Sequence, residues 1–253
     1  MRFVLALLLG LLLAPEAVRA ADPPSAFTPA QRAEIVAIIR RALVADPTIL
    51  RDAVTALQQT EAENRAATAR GAIAGAGPAL TANPGDPVAG NPRGDVTVVE
   101  FYDLRCPYCR RMIPVMESLL RQDPKVRLVY KDIPILGPGS VLGARAVLAA
   151  QKQGGYDRMQ AAVMRGPSQI TEDSLRAAAK QAGLDWEALR RDMDDPAVAA
   201  RIKANLDLAR KLGVDGTPAF VVGKDMLPGA VDLADLQAEV KAAREATGAS
   251  RSD

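Results

Sequence analysis

The sequence contains no histidine among its 253 residues. That absence excludes Ser-His-Asp and Cys-His nucleophiles, His-ligated zinc and His-ligated haem. Proton transfer near neutral pH must then fall to a thiol or to a carboxylate perturbed by its surroundings. Cysteine is almost as scarce, with only Cys106 and Cys109 present. Neither sign of charge dominates: 32 Lys and Arg against 30 Asp and Glu give a formal net charge of +2. This balance gives no support for a nucleic-acid or membrane-surface partner. No long apolar run follows the first twenty residues, so the rest of the chain is expected to be soluble.

Those first twenty residues open with Arg2, continue apolar from Phe3 to Ala14, and end in Val18-Arg19-Ala20. The apolar core is about a dozen residues, short of the roughly 20 that span a bilayer. Small residues stand where a signal peptidase cuts, so residues 1–20 read as a cleaved secretory signal.

The two cysteines form Cys106-Pro107-Tyr108-Cys109. A structural disulfide stabilises most when it closes a long loop, and this one would close almost none. The spacing therefore points to a redox pair that turns over.

Three regions follow the leader. Residues 21–70 read as a helical arm. Thr28-Pro29-Ala30-Gln31 supplies an N-cap, a proline at N1 and a capping-box glutamine. Ile35, Ile38, Ile39 and Leu43 follow at helical spacing, and Asp46-Pro47 starts a second helix carrying Ile49, Leu50, Val54 and Leu57. Two such thin helices cannot hide their apolar faces on each other, so they are expected to dock elsewhere or to pair with copies of themselves. Residues 71–95, with six glycines and four prolines, read as an irregular linker with a short strand around Leu80.

The third region, residues 96–247, reads as α/β. Val96-Thr97-Val98-Val99-Glu100-Phe101 is a buried-strand pattern running into the cysteines. Pro107 then opens a helix carrying Met112, Met116 and Leu119, and Val126 to Tyr130 gives a second strand. Residues 139–212 are helical in pattern, a final strand spans Ala219 to Val222, and Leu233 to Ala246 closes as a helix ahead of a tail over 248–253. The fold class expected is an α/β domain with an inserted helical domain, preceded by a helical arm.

Three ordered segments carry a family resemblance: Glu100-Phe101-Tyr102-Asp103 before the cysteines, Pro134-Ile135-Leu136-Gly137-Pro138, and Gly213-Val214-Asp215-Gly216-Thr217-Pro218-Ala219-Phe220. Together they resemble the DsbA family of exported thiol-disulfide oxidoreductases, most closely its suppressor-of-copper-sensitivity C group of isomerases. The resemblance implies a thioredoxin fold interrupted by helices and a periplasmic location. Protein substrates with disulfides or thiols, a membrane thiol-redox partner that recharges the pair, and no cofactor beyond the redox-active disulfide are implied as well. It also implies a homo-oligomer, with a trimer favoured over a dimer. Pro218 resembles the family's cis-proline, with Thr217 packed beside Cys106. Glu100 falls where the family has a buried acid, and Lys131 resembles that acid's cationic partner.

Chemistry assigns the remaining roles. Cys106 at a helix N-terminus faces unpaired N–H groups that favour a thiolate, so it is the expected solvent-accessible nucleophile. Cys109, a turn further in, would resolve the mixed disulfide. Glu100, on an apolar strand, is a plausible proton acceptor for Cys109. Tyr108 is a neutral phenol where the family's strongest oxidases carry a histidine, which argues for isomerase or reductase character, with dithiol oxidase as the alternative. A different class stays open too: thiolates are soft ligands, and Cys106 with Cys109 could hold Cu(I) in a copper-tolerance module.

Overall fold

Five strands form one sheet, and its centre is the apolar run that precedes the cysteines. The computed structural model describes residues 26–249; the expected leader over 1–20 and the end of the expected tail, from residue 250 on, lie outside them. In chain order the elements are α1 (Pro29–Ala45), α2 (Thr48–Ala76), α3 (Pro78–Thr81), β1 (Val88–Gly90), β2 (Val96–Tyr102), α4 (Pro107–Gln122) and β3 (Val126–Asp132). The helices α5 (Pro138–Ala150), α6 (Tyr156–Arg165), α7 (Glu172–Gln181), α8 (Trp186–Asp192) and α9 (Pro196–Leu212) follow, then β4 (Ala219–Val222), β5 (Asp225–Pro228) and α10 (Leu233–Ala249). The chain divides within α2 into two units, 1–59 and 60–253.

In the first unit the Thr28 hydroxyl accepts from the Gln31 amide at 3.3 Å, and the Gln31 side chain accepts from the Thr28 amide at 2.8 Å. This capping box satisfies two orphan donors and sets where α1 begins. Asp46 ends α1, and its carboxylate accepts from the Thr48 amide at 3.0 Å to start α2. No residue of α1 is buried. Ile35, Ile38, Ile39, Leu43, Leu50, Val54 and Leu57 all stand exposed.

The second unit is built on strand order β1-β3-β2-β4-β5, in which β2 and β3 are parallel and the other pairings antiparallel. Side chains alternate between the two faces of the sheet. Val99 and Phe101 of β2, Val129 of β3 and Val221 of β4 pack with Ile73, Ala76, Leu80, Leu208 and Leu212 of α2, α3 and α9. On the other face Val96, Val98, Leu128 and Phe220 meet Met112, Met116 and Leu119 of α4 and Leu236 and Val240 of α10. Each fully buried Val, Leu or Phe here contributes about 1.5–3 kcal/mol relative to exposure.

The helices α5 to α9 form the inserted domain over the carboxyl end of β2, with an alanine-rich α5 at its centre. Gly143 lets α5 approach closely, since a Cβ there would come within 2.9 Å of both the Ile170 and Leu104 side chains. The insertion thus packs directly on the segment leading to Cys106.

The segment 71–95 departs from the expected linker. Its first turns finish α2, burying Ile73 and Ala76, and its end contributes edge strand β1, which pairs with β3. Leu80 lies in the helical turn α3, not in a strand, and is 3 % exposed. Pro78 suits the first position of that turn, and Ala72, Ile73, Ala76, Leu80 and Val88 tie the glycine-rich stretch to the core. The strand β5, which the sequence pattern did not suggest, forms a hairpin with β4 around Gly223, at φ +60°.

Candidate active site

Cys106 is the N-cap of α4 and Pro107 its first residue, where a missing N–H has no intrahelical partner to lose. The Cys106 Sγ donates to the Thr217 carbonyl at 3.2 Å. The Thr217–Pro218 bond is cis, and this turn leads straight into β4 beside β2. The structure therefore joins Cys106, Thr217 and Pro218, and the contact of Thr217 with Cys106 is made by its backbone carbonyl. That turn also covers the sulfur. Cys106 is 4 % exposed, not openly accessible as expected, although it is the more accessible of the two thiols, with Cys109 at 1 %. Both are free cysteines.

Cys109 lies on the first turn of α4, facing the sheet. Burial pushes its thiol well above the ordinary range, which holds it protonated until a base stands ready. Glu100 fits that requirement. Its carboxyl is 4 % exposed and is pushed up to about 8, first by burial and then by the nearby charge of Asp132. Glu100 and Cys109 line the same cavity of about 220 Å³, together with Tyr130, Gln160 and Met116, with Glu117 and Asp157 also on its wall.

Lys131 is not the partner of Glu100. Across the parallel pair Glu100 aligns with Tyr130 and Phe101 with Lys131, so alternation sends Glu100 and Lys131 to opposite faces. The Lys131 ammonium is fully buried, donating to Asp86 Oδ2 at 2.5 Å and to the Ala79 carbonyl at 2.7 Å. Arg201 of α9 donates to the other Asp86 oxygen at 2.7 Å. Lys131 thereby anchors the segment after α3 to the sheet, away from the thiols. Its affinity for a proton is lowered, chiefly by burial and partly restored by Asp86.

Asp103 is a residue whose role the sequence reading missed. Its Oδ1 accepts from the Arg105 amide and the Ser140 hydroxyl, both at 2.8 Å. Its Oδ2 accepts from the amides of Ile135 at 2.9 Å and Leu136 at 3.0 Å. One buried carboxylate thus fastens the loop before Cys106 to the loop after β3. Beside the motif stand three exposed apolar side chains, Tyr108, Ile135 and Leu136. The Arg111 guanidinium lies 4.3 Å from the Tyr108 ring centre, a cation–π contact. The signal for Asp103 was an acidic residue at a strand end ahead of a turn, where carboxylates accept nearby amides.

Among the described residues no group of three or more Cys, Asp or Glu is arranged to hold a metal ion, and no helix is long and apolar enough to cross a membrane. Met112 and Met116 are core side chains, at 2 % and 4 % exposure.

Residues 97–241 match the family described as DSBA-like thioredoxin domain, and residues 31–64 match the copper resistance protein ScsC N-terminal domain. A thioredoxin-like oxidoreductase from Silicibacter pomeroyi DSS-3 is 47% identical, with a TM-score of 0.65, over 67% of this chain and 98% of that one. ScsC of Proteus mirabilis, in a transitional conformation, is 32% identical at a TM-score of 0.64 over 87% of this chain and 98% of its own. The Na(+)/H(+) antiporter NhaA 3 of Salinispora tropica is 31% identical over 160 residues, 62% of this chain but only 24% of the antiporter. The chain therefore spans about a quarter of that curated relative's length. With the paired cysteines at the head of α4, the cis turn against them and a family match over more than half of the residues, the chain belongs to the DsbA-like thioredoxin domain family.

Proposed function

We propose that this protein is an exported, periplasmic thiol-disulfide oxidoreductase that reduces or isomerises protein disulfides through Cys106 and Cys109. The observation that carries this reading is the Cys106 thiol at the helix N-cap, 3.2 Å from the Thr217 carbonyl, with the second thiol buried behind it.

The geometry supports a definite sequence of steps. The Cys106 thiolate, favoured by the free amides of the first turn of α4, attacks one sulfur of a client disulfide. The client S–S bond breaks, a Cys106–client bond forms, and the departing client thiolate takes a proton from solvent. Cys109 then gives its proton to the Glu100 carboxylate and attacks the Cys106 sulfur. A Cys106–Cys109 disulfide forms, the client leaves reduced, and two electrons have passed to it. If a second client thiol attacks the mixed disulfide first, the dithiol is regenerated with no net electron transfer, which is isomerisation. A membrane thiol-redox partner would re-reduce the pair after each reductive turn.

Tyr108, Ile135 and Leu136 give clients an apolar surface beside the reactive sulfur. The neutral Tyr108 favours reductase or isomerase character over strong oxidase character, because a phenol cannot stabilise a thiolate as an imidazolium does. The exposed apolar residues of α1 and of α2 up to Leu57 support a homo-oligomer built on that arm, a trimer before a dimer. Several sites held together would engage one client repeatedly, which favours isomerisation.

Insulin reduction and refolding of scrambled ribonuclease, each with the native chain and with Cys106→Ala, test the reading. Both activities are expected and both should vanish in the variant. The reduction potential of the pair against glutathione then separates the isomerase and reductase readings from the oxidase one. The match of residues 31–64 to a copper-resistance domain favours one further reading, Cu(I) held by Cys106 and Cys109. The burial that keeps Cys109 a thiol opposes it. Retention of one equivalent of Cu(I) against a competing chelator, lost in Cys109→Ala, would support it.

A further inference from the structure

The face of the sheet that carries Glu100 holds a second buried carboxyl that the steps above do not use. Glu100 aligns with Tyr130, and two positions on, Tyr102 aligns with Asp132, so all four side chains leave the same face. Asp132 is 1 % exposed. Its Oδ1 accepts from the Tyr102 hydroxyl at 2.6 Å and its Oδ2 from the Tyr156 hydroxyl at 2.9 Å, while the two hydroxyls lie 2.7 Å apart. The side-chain amide of Asn205 donates to the Asp132 carbonyl at 3.3 Å, so the residue is held from both sides. Strand geometry puts the Cα atoms of Glu100 and Asp132 about 8 Å apart. A carboxylate supplied with two hydroxyl donors and shut away from water is a charge maintained at a cost, and the core gains nothing in packing from it that a Leu would not give.

We propose that Asp132, clamped by Tyr102 and Tyr156, is a positioning residue whose carboxylate governs the exchange of a proton between Glu100 and Cys109. The inference rests on the oxidoreductase reading and extends it. The groups that face Glu100 are Tyr102 on its own strand, Tyr130 and Asp132 on β3, Cys109 and Glu117 on α4, and Tyr156 and Asp157 on α6. No cation is among them, since Lys131 lies on the other face. Asp132 is the next acidic group along the sheet from Glu100, and once it is charged a second negative charge in the same dry space is resisted. A charged Asp132 therefore makes Glu100 a stronger proton acceptor for Cys109. Burial pushes Asp132 up to about 7, and the two tyrosine hydroxyls pull it back toward the charged form. Its charge thus changes within the range in which the thiols work.

The test uses the full chain carrying one glutathione on Cys106 and follows its release as Cys109 attacks. In that step the Cys106–glutathione bond breaks, the Cys106–Cys109 bond forms, and the proton of Cys109 passes to Glu100. The rate is measured from pH 5 to pH 10 in the native chain, Asp132→Asn, Tyr156→Phe and Glu100→Gln. Removing the Asp132 charge should move the Glu100-dependent inflection toward acid by about one pH unit, the scale set by charges ~8 Å apart at an effective dielectric constant of ~20–30. Tyr156→Phe leaves Asp132 in place with one donor fewer, so less of it is charged near neutrality. Its inflection should move the same way by a smaller amount. An inflection that stays within ~0.2 pH unit of the native one in both variants, while Glu100→Gln abolishes it, overturns the proposal and leaves the oxidoreductase reading intact. If the native chain itself does not release glutathione through Cys109, the oxidoreductase reading fails instead.

Discussion

Glu100 and Lys131 stand one register position apart on adjacent strands, yet their side chains leave the sheet in opposite directions. The acid faces Cys109 across a cavity, and the lysine is locked to Asp86 on the far side. The two should therefore behave independently. Lys131→Met leaves Asp86 buried with only Arg201 as its cation and should cost about 3 kcal/mol of stability. The pH profile of thiol exchange should stay where it is. A double-mutant cycle with Glu100→Gln should give a coupling below about 0.5 kcal/mol, as for residues that share no partner. A coupling of several times that size would restore the pairing expected from the sequence.

Stability itself should report on the buried carboxyls. Glu100 holds its proton up to about 8 in the folded chain against an ordinary value of 4.5, and Asp132 up to about 7 against 3.8. The folded state thus binds more protons than the unfolded one between those limits, and stability falls as pH rises through them. From about pH 5 to about pH 8 the two together should cost on the order of 6 kcal/mol, and Glu100→Gln should remove roughly half of that loss. Urea midpoints for both proteins at the two pH values measure it.

The order of the two thiols is open to direct trapping. Cys109→Ala should accumulate mixed disulfides with clients through Cys106, visible on non-reducing gels and cleared by reductant. Cys106→Ala should accumulate none, because the remaining thiol is more deeply buried and held protonated.

Asp103 should matter through position, without touching the client. Asp103→Ala removes the acceptor for three backbone amides and one hydroxyl at once. Each buried donor left unpaired costs about 1–3 kcal/mol. A total loss on the order of 4 kcal/mol is expected, with reduced insulin reduction in the protein that still folds. Thermal unfolding and the activity of the folded fraction check the two parts separately.

The arm proposed to build the oligomer is best removed at the boundary of the two units. A cut near Gly94 would strip Ile73, Ala76, Leu80 and β1 from the core, and a chain beginning at Thr60 keeps them. Light scattering should find the full chain oligomeric and the shortened one monomeric. The shortened chain should still reduce insulin but unscramble ribonuclease several-fold less well.

Local features were legible in the sequence. The capping box at Thr28, the proline after Cys106 and the buried apolar run of β2 each depend on residues a few positions apart, and all appear as expected. Features that depend on distant partners were not. The facing of Lys131 needs the register of β2 against β3, and the network around Asp132 needs Tyr156, which is 24 residues on in the inserted domain. Composition misled at 71–95, where glycine and proline signal irregularity but cannot show that Leu80 finds a place in the core.

Arg110, next to the resolving cysteine, donates to the carbonyls of Leu104, Gly166 and Pro167. Its planar fork joins the approach to the motif with the turn between α6 and α7, a reach that a lysine's single ammonium does not reproduce. All three acceptors are main-chain atoms, present whatever side chain stands at those positions. This one contact between the inserted domain and the reactive helix is therefore encoded on the arginine's side only. The side chains at positions 166 and 167 are thus free to diverge without loss of this contact, while the arginine is not.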